Sequence, residues 1–255
     1  MAWDRVDFLG CPVDCVTMEQ AIASMEAFIR EGVPRHIAVI NANKLWLMEK
    51  DPRVTRVVQE ASLFVPEKAV VMGIRSMGLG IAHHVGGIML LKAFLPRAEE
   101  KGYRLYFLGA KPGVLERIVY ALRYAYPRLQ IVGSHHGYLR PADEELIVKQ
   151  ICELRPDALF VAMGTPKQEF WIAEHMSRLG VPVCMGVGGS FDVLAGIKKD
   201  TPDWIRALAM EWLYRLIQDP KNLWRRYLTT IPWFLGRVLR ARLRKSFARL
   251  GYRHS

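Results

Sequence analysis

The feature that most constrains the fold is a repeated alternation of short apolar runs and amphipathic segments along the second half of the chain. The apolar runs occupy residues 104–108, 129–133, 158–163 and 181–187, and each ends in a glycine-containing turn. Strands and helices that alternate in this way form a parallel sheet covered by helices. The sequence therefore predicts an α/β fold with a Rossmann-like body, in which ligands bind outside the carboxyl ends of the strands.

The first hundred residues repeat this pattern more loosely. We predict strands at 36–40 and 61–65 and one helical segment at 44–59 between them. Both strands end at polar residues, which are Asn41 and Asn43 in the first case and Glu67 in the second.

The composition changes after Asp200. No strand pattern follows, and residues 204–249 are predicted to be helical with interruptions at Pro220 and Pro232. We therefore predict an α/β catalytic body at 1–200 and a helical, basic C-terminal appendage at 201–255.

The appendage carries nearly all of the net charge. Residues 220–255 contain ten Lys or Arg residues and no Asp or Glu, and removing these ten from the 36 basic residues of the chain leaves 26 against 25 acidic ones. Basic residues interleaved with Trp, Phe and Leu suit a helix that docks on anionic lipid headgroups. A solvated or protein-contacting face and nucleic-acid binding are the alternatives. We predict an anionic membrane surface as the partner, and no nucleic acid.

The rest of the composition excludes several classes of protein. Apolar residues make up 51% of the chain, which indicates a globular protein rather than a disordered one. No uninterrupted apolar run is long enough to span a bilayer, and the first residues lack the apolar stretch of a signal peptide. We expect a peripheral protein at the cytoplasmic face of the cell membrane. The four cysteines show no CxxC pair and no zinc-site spacing, so no metal or other cofactor is expected.

Three glycine-containing turns at predicted strand ends offer backbone N–H groups to an anion. They lie at 109–113, 164–168 and 186–190, and a diphosphate is the ligand that such turns fit best. The alternative is that each glycine only permits a tight turn. The segment at 164–169 is the densest in polar groups, because the turn is followed at once by a cation, an amide and a carboxylate at Lys167, Gln168 and Glu169.

Several motifs of the chain resemble those of the WecG/TagA/CpsF glycosyltransferases, also called glycosyltransferase family 26. The resemblance covers roughly residues 5–245, and its motifs occur in the family's order. They are NANK at 41–44, DPR at 51–53, YRLYFLGAKPGV at 103–114, GTPKQE at 164–169, GVGGSFDVLAG at 186–196, EWLYRLIQDP at 211–220 and LWRRYL at 223–228.

The resemblance implies an inverting, metal-independent transfer of an N-acetylmannosamine-type sugar from a UDP donor to an undecaprenyl-diphosphate-linked sugar in cell-surface glycopolymer synthesis. It also implies that the basic appendage reaches the membrane. Two alternatives stay open: the same fold with a glucose or uronic acid type of UDP-sugar donor, and a non-catalytic sugar-nucleotide or lipid-binding relative. A homo-oligomer is also left open.

The chain departs from the family pattern near the predicted donor site. Glu67 stands where the family has the Asp proposed as catalytic base, and Val39 replaces a Thr that contacts the donor sugar. His84 and Met89 replace an Arg and an Asp. Glu67 is therefore our candidate general base, with His83 and His84 as the alternative base pair or as phosphate ligands.

The remaining candidates bind substrate. On the body they are Asn41, Asn43, Gly109, Lys111, Gly113, Gly164, Thr165, Lys167, Gln168, Gly188 and Gly189, and on the appendage Arg215, Arg225 and Arg226. The appendage arginines have two alternative roles, since an arginine on a docking helix either clamps a diphosphate or faces lipid headgroups.

Overall fold

The structure is a computed structural model that describes residues 3–80 and 83–251. Residues 1–2 and 81–82 of the predicted body and residues 252–255 of the predicted appendage lie outside the described part. The strands are β1 (Arg5–Phe8), β2 (Cys11–Asp14), β3 (Arg35–Ile40), β4 (Leu63–Pro66), β5 (Arg104–Gly109), β6 (Gln130–His135), β7 (Ala158–Ala162) and β8 (Val183–Gly186).

Helices connect and cover these strands. They are α1 (Met18–Glu31), α2 (Ala42–Lys50), α3 (Pro52–Gln59), α4 (Lys68–Ser76), α5 (Gly87–Lys101), α6 (Pro112–Ala125), α7 (Pro141–Leu154), α8 (Lys167–Leu179), α9 (Ser190–Leu194), α10 (Asp203–Ala207), α11 (Glu211–Gln218) and α12 (Pro220–Gly251).

A six-stranded parallel sheet forms the centre of the molecule, in the order β4-β3-β8-β7-β5-β6. The prediction of a parallel, Rossmann-like α/β fold is therefore confirmed. Its inner strands are apolar on both faces: Phe107 and Phe160 pack into one core cluster, and Tyr106 and Leu159 pack into another. Continuous apolar strands of this kind follow from burial of both sheet faces by helices. A separate antiparallel hairpin, β1 and β2, was not predicted.

The predicted helix at 44–59 is two helices in the structure. Asp51 ends α2, and its carboxylate accepts a hydrogen bond from the backbone N–H of Arg53 at 2.9 Å, so that it caps the start of α3. Pro52 occupies the first turn of α3, where its missing N–H costs nothing. The local sequence therefore starts a new helix here instead of continuing the old one.

The predicted interruption at Pro232 is wrong, since α12 runs through this residue. Contacts on its two sides hold the helix in place. Thr230 is buried before it, and Phe234 is buried after it with its ring centroid 6.1 Å from that of Phe8. Tertiary packing here outweighs the cost of one missing backbone hydrogen bond. Pro220, the other expected interruption, is the first residue of α12.

The helical appendage packs on the body rather than extending away from it. The indole N–H of Trp233 donates to Glu49 Oε1 at 2.9 Å, and Arg237 Nε lies 3.0 Å from Glu49 Oε2. Lys198 bridges Asp192 and Asp219 at 2.8 and 3.0 Å. None of the helices in the described part of the chain is long and apolar enough to cross a membrane. The division into two domains at residue 200 stays a prediction.

Candidate active site

A cavity of about 220 Å³ opens at the carboxyl edge of the sheet, above β3, β4, β7 and β8. Its walls come from the turns that follow these strands and from α11 and α12. This is the edge at which parallel α/β sheets bind ligands. Ten of the predicted site residues line it: Asn41, Asn43, Glu67, Gly164, Thr165, Gln168, Gly188, Gly189, Arg215 and Arg226.

The structure places the turn at 109–113 away from this cavity. Its strand, β5, lies beyond β7 in the sheet, and none of Gly109, Lys111 and Gly113 belongs to the lining residues. A Cβ on Gly109 would lie 2.4 Å from the carbonyl oxygen of Ala162, and Gly109 has a φ of +132°. Close packing against β7 is thus a sufficient reason for glycine here. A ligand-binding role for this turn stays a prediction.

Two further predicted side chains also lie outside the cavity lining. Lys167 is exposed at the start of α8. The guanidinium carbon of Arg225 lies 5.2 Å from the ring centroid of Trp224, on the exposed side of α12. Their placement favours contact with solvent or a surface, and a substrate-binding role for Lys167 and Arg225 stays a prediction.

Glu67 enters the cavity from the end of β4. Its backbone N–H donates to the carbonyl oxygen of Ile40 at 2.9 Å, which ties the ends of β4 and β3 together. Glu67 occupies the position before α4 without making a side-chain capping bond. Its carboxylate is therefore not engaged in holding the helix start, and it lines the cavity.

A second carboxyl group, Glu211, lines the same cavity from α11. Arg215 lies four residues further along this helix, so both side chains are on one helix face. Burial and the nearby charge of Glu67 raise the pKa of Glu211 to about 7. Burial lowers the pKa of Arg215, but the charges of Glu67, Tyr227 and Glu211 outweigh it and the net shift is upward. Arg215 is thus a permanent cation whose charge is stabilised by two carboxyl groups.

His84 lies behind Glu211, with its Nε2 atom 3.5 Å from Glu211 Oε1. Burial, together with the positive charges of Lys68, Arg206 and Arg215, lowers the pKa of His84 to about 4. The imidazole is therefore neutral at pH 7 and a weak base. His84 is not among the cavity-lining residues, and its catalytic role stays a prediction.

At the wall of the cavity, a buried ion pair joins two of the strand ends, and Lys44 is itself among the lining residues. Lys44 Nζ lies 2.8 Å from Glu169 Oε1, and the two side chains are 2% and 0% exposed. Gln168, next to Glu169, lines the cavity and bonds to the turn that follows β8. An ion pair and a hydrogen bond therefore link strand ends at the carboxyl edge of the sheet.

Sequence reasoning missed most of the cavity wall that the appendage supplies. Glu211, Trp212, Tyr227 and Thr230 line the cavity, and none was a candidate. The motif at 211–220 held a signal for the first of them, because Glu211 and Arg215 have the i, i+4 spacing of one helix face.

The chain is similar to known proteins over most of its length. The family model described as "Glycosyl transferase WecG/TagA/CpsF family" matches residues 6–248. A Staphylococcus aureus (strain MW2) protein named N-acetylglucosaminyldiphosphoundecaprenol N-acetyl-beta-D-mannosaminyltransferase is 34% identical over 241 residues, 93% of each chain. Its counterparts in strains NCTC 8325 / PS 47 and MRSA252 have the same name, identity and coverage. The chain therefore belongs to the WecG/TagA/CpsF family of glycosyltransferases.

Proposed function

We propose that this glycosyltransferase moves an N-acetylmannosaminyl group from a UDP donor to N-acetylglucosaminyldiphosphoundecaprenol, with inversion, in cell-surface glycopolymer synthesis. The observation that carries the proposal is the composition of the cavity, which combines the carboxylate of Glu67 with the guanidinium groups of Arg215 and Arg226. The names of the Staphylococcus aureus relatives supply the two sugars and the lipid.

The proposed reaction is a single displacement. The carboxylate of Glu67 takes the proton of the acceptor hydroxyl as its oxygen attacks the anomeric carbon of the donor sugar. A new carbon–oxygen bond forms on the face opposite the departing UDP, and the old one breaks with its electron pair leaving on the diphosphate. Direct attack from the opposite face inverts the anomeric configuration.

Cations and backbone dipoles would stabilise the diphosphate as it leaves. Arg215 and Arg226 line one side of the cavity, and the glycine-containing turns at 164–168 and 186–190 line the other. Guanidinium groups form paired hydrogen bonds with phosphate oxygens, and backbone N–H groups at strand ends add further donors. Charge that develops on a leaving group in such a site is stabilised without reorganisation of water.

The test is a donor panel with a purified acceptor. UDP release and product mass are measured for N-acetylglucosaminyldiphosphoundecaprenol with UDP-N-acetylmannosamine, UDP-glucose and UDP-glucuronic acid in turn. We expect turnover with the first donor. Turnover with another donor alone would replace the proposed sugar, because Val39 stands in the cavity wall where the family has Thr. UDP-sugar binding without UDP release under any acceptor would instead indicate a binding protein.

We also propose that α12 docks the enzyme on the cytoplasmic face of the membrane. Its body-facing side carries Tyr227, Thr230, Trp233 and Phe234, which are buried or bonded to the body. The opposite side exposes an apolar stripe at helical spacing, made of Trp224, Leu228, Leu235, Leu239 and Leu243. A stripe of this kind among basic residues fits insertion at an anionic lipid surface.

Neutralising Arg240, Arg242 and Arg244 with glutamine should weaken binding to anionic vesicles. Each basic residue near such a surface contributes about 1 kcal/mol, so the three together should lower the vesicle partition coefficient about 100-fold. All three are exposed, whereas Arg237 is paired with Glu49 and is left intact. Co-sedimentation with phosphatidylglycerol vesicles, repeated with added salt that screens the attraction, provides the measurement.

The matched control removes the same charge from the body, with Arg56, Arg117 and Arg123 changed to glutamine. These residues are also exposed, and they lie away from α12 along the chain. Equal vesicle binding by both triple variants would show that the total charge, and not the surface of α12, attracts the membrane. Unchanged binding by the α12 variant would show that its basic residues are only a solvated face.

A further inference from the structure

Burial of the Lys44–Glu169 ion pair has a large unfavourable desolvation free energy. Both side chains are almost fully buried, and their charged atoms are 2.8 Å apart. Removing two charges from water is so unfavourable that apolar residues of similar size often serve stability equally well. Folding alone is therefore a weak reason for this pair. Lys44 lines the cavity and Glu169 follows the cavity-lining Gln168, which indicates a role at the cavity.

The pair is connected to the cavity through the amide of Gln168. Glu169 Oε1, the oxygen that binds Lys44, also accepts a hydrogen bond from Gln168 Nε2 at 3.0 Å. The other end of that amide, Gln168 Oε1, accepts a hydrogen bond from the backbone N–H of Gly188 at 3.0 Å. Three strand ends are thus joined, because Lys44 follows β3, Gln168 and Glu169 follow β7, and Gly188 follows β8.

These two bonds fix the orientation of the Gln168 amide. The carboxylate of Glu169 only accepts hydrogen bonds, and the backbone N–H of Gly188 only donates them. A flipped amide would place its oxygen beside the carboxylate oxygen of Glu169 and its N–H groups beside the backbone N–H of Gly188, so both hydrogen bonds would be lost. The amide also lies tightly against β8, since a Cβ on Gly186 would be 2.4 Å from Gln168 Nε2.

Lys44 keeps Glu169 in the charged form that this arrangement needs. Burial alone raises the pKa of Glu169, but the charge of Lys44 and hydrogen bonds from Lys44 and Gln168 outweigh it and hold this pKa below its ordinary value. His36 also lies near the pair and does not compete for it as a cation, since burial and the charge of Lys44 lower its pKa to about 4.

We propose that Lys44 and Glu169 are positioning residues that orient the Gln168 amide toward the donor. An amide offers two N–H groups and two oxygen lone pairs. One N–H group donates to Glu169, and one oxygen lone pair accepts from Gly188. The second N–H group and the second lone pair are left for a ligand in the cavity that Gln168 lines. A hydroxyl or amide group of the UDP-sugar matches this donor–acceptor pair. The inference rests on the proposed function for the identity of that ligand.

The test compares single and double variants of the pair. Lys44→Met or Glu169→Leu alone leaves a buried charge without its partner and should lower the melting temperature strongly. The double variant K44M/E169L buries no charge and should fold with a melting temperature close to that of the wild type. If the pair positions Gln168, this stable double variant should still show a donor KM raised about tenfold, with a smaller change in kcat.

Side-chain amide NMR reports on the hydrogen bonding of the Gln168 amide and does not depend on turnover. The Gln168 amide signals, assigned from their loss in Gln168→Met, should be sharp and protected from exchange in the wild type and should lose that protection in K44M/E169L. The control double variant R178M/E145L removes an exposed ion pair on the other side of α8 and should change neither readout.

The outcomes separate the two proposals. A double variant with wild-type donor KM, or with unchanged Gln168 amide signals, would overturn the positioning role and leave a structural one. A wild-type protein that binds no UDP-sugar would contradict the proposed function, while loss of the Gln168 signals in the double variant would still support the positioning role.

Discussion

Glu67→Gln is expected to lower kcat by about two to four powers of ten, the range that a positioned general base contributes. Glutamine keeps the size and the hydrogen-bonding groups of the side chain but cannot take the acceptor proton. The donor KM should change little, because the amide still fills the same place in the cavity wall. Steady-state UDP release at saturating donor and acceptor is the measurement, with circular dichroism to show that the variant is folded.

The control for this change is Glu60→Gln, the same substitution at an exposed position between α3 and β4, which should leave kcat unchanged. Near-normal turnover by Glu67→Gln would exclude Glu67 as the general base. Glu211→Gln is then the variant to compare, because Glu211 lines the same cavity and has a pKa raised to about 7. A large loss in that variant alone would transfer the role of base to Glu211.

Ending the chain at Asp200 is expected to lower activity by about three powers of ten or more on every acceptor, including a short-chain one that needs no membrane. The truncation removes Arg215 and Arg226 from the cavity, and loss of a single group that stabilises developing charge typically costs two to three powers of ten. UDP release with a water-soluble acceptor and with the long-chain lipid acceptor provides the measurement.

A full-length variant separates catalysis from stability in this test. Truncation also uncovers Phe8, which packs against Phe234, so the shortened body has lost part of its core. R215M/R226M keeps that contact and should lose activity on both acceptors. Full activity of either protein on the short-chain acceptor would show that the appendage only docks.

The sheet was predictable because its signal is local and repeated. Every second residue of an inner strand points to the opposite face, and residues such as Tyr106 and Phe107 are buried on their respective faces. The hairpin of β1 and β2 was missed because it is antiparallel and lies before the repeated alternation of strands and helices begins. The continuity of α12 through Pro232 was not predictable, because Phe8 and Glu49, which contact the helix beyond this proline, are remote in sequence.

Part of the candidate site was predictable, because its signal also lies in short segments directly after the strands. Polar residues directly after strands, such as Asn41 and Gln168, come together because parallel strands end at one edge. Strand order could not be read from the sequence, so nothing indicated that the turn after β5 lies beyond β7. The i, i+4 spacing of Glu211 and Arg215 indicated one face of α11, but the sequence did not indicate that this face folds back over the cavity. That fold-over is what brings Glu211 next to Glu67.

If α12 docks on the membrane as proposed, this one helix sets the height of the reaction centre above the bilayer. Arg226, Tyr227 and Thr230 line the cavity from one side of the helix, and the exposed apolar stripe lies on the other. A helix with its side chains is about 10–12 Å across, so a membrane bound by the stripe would lie roughly one helix diameter from the cavity. A polyprenyl chain can then stay in the bilayer while its diphosphate and first sugar rise to Glu67. The depth to which α12 enters the bilayer would then determine whether the single sugar of N-acetylglucosaminyldiphosphoundecaprenol reaches the carboxylate of Glu67.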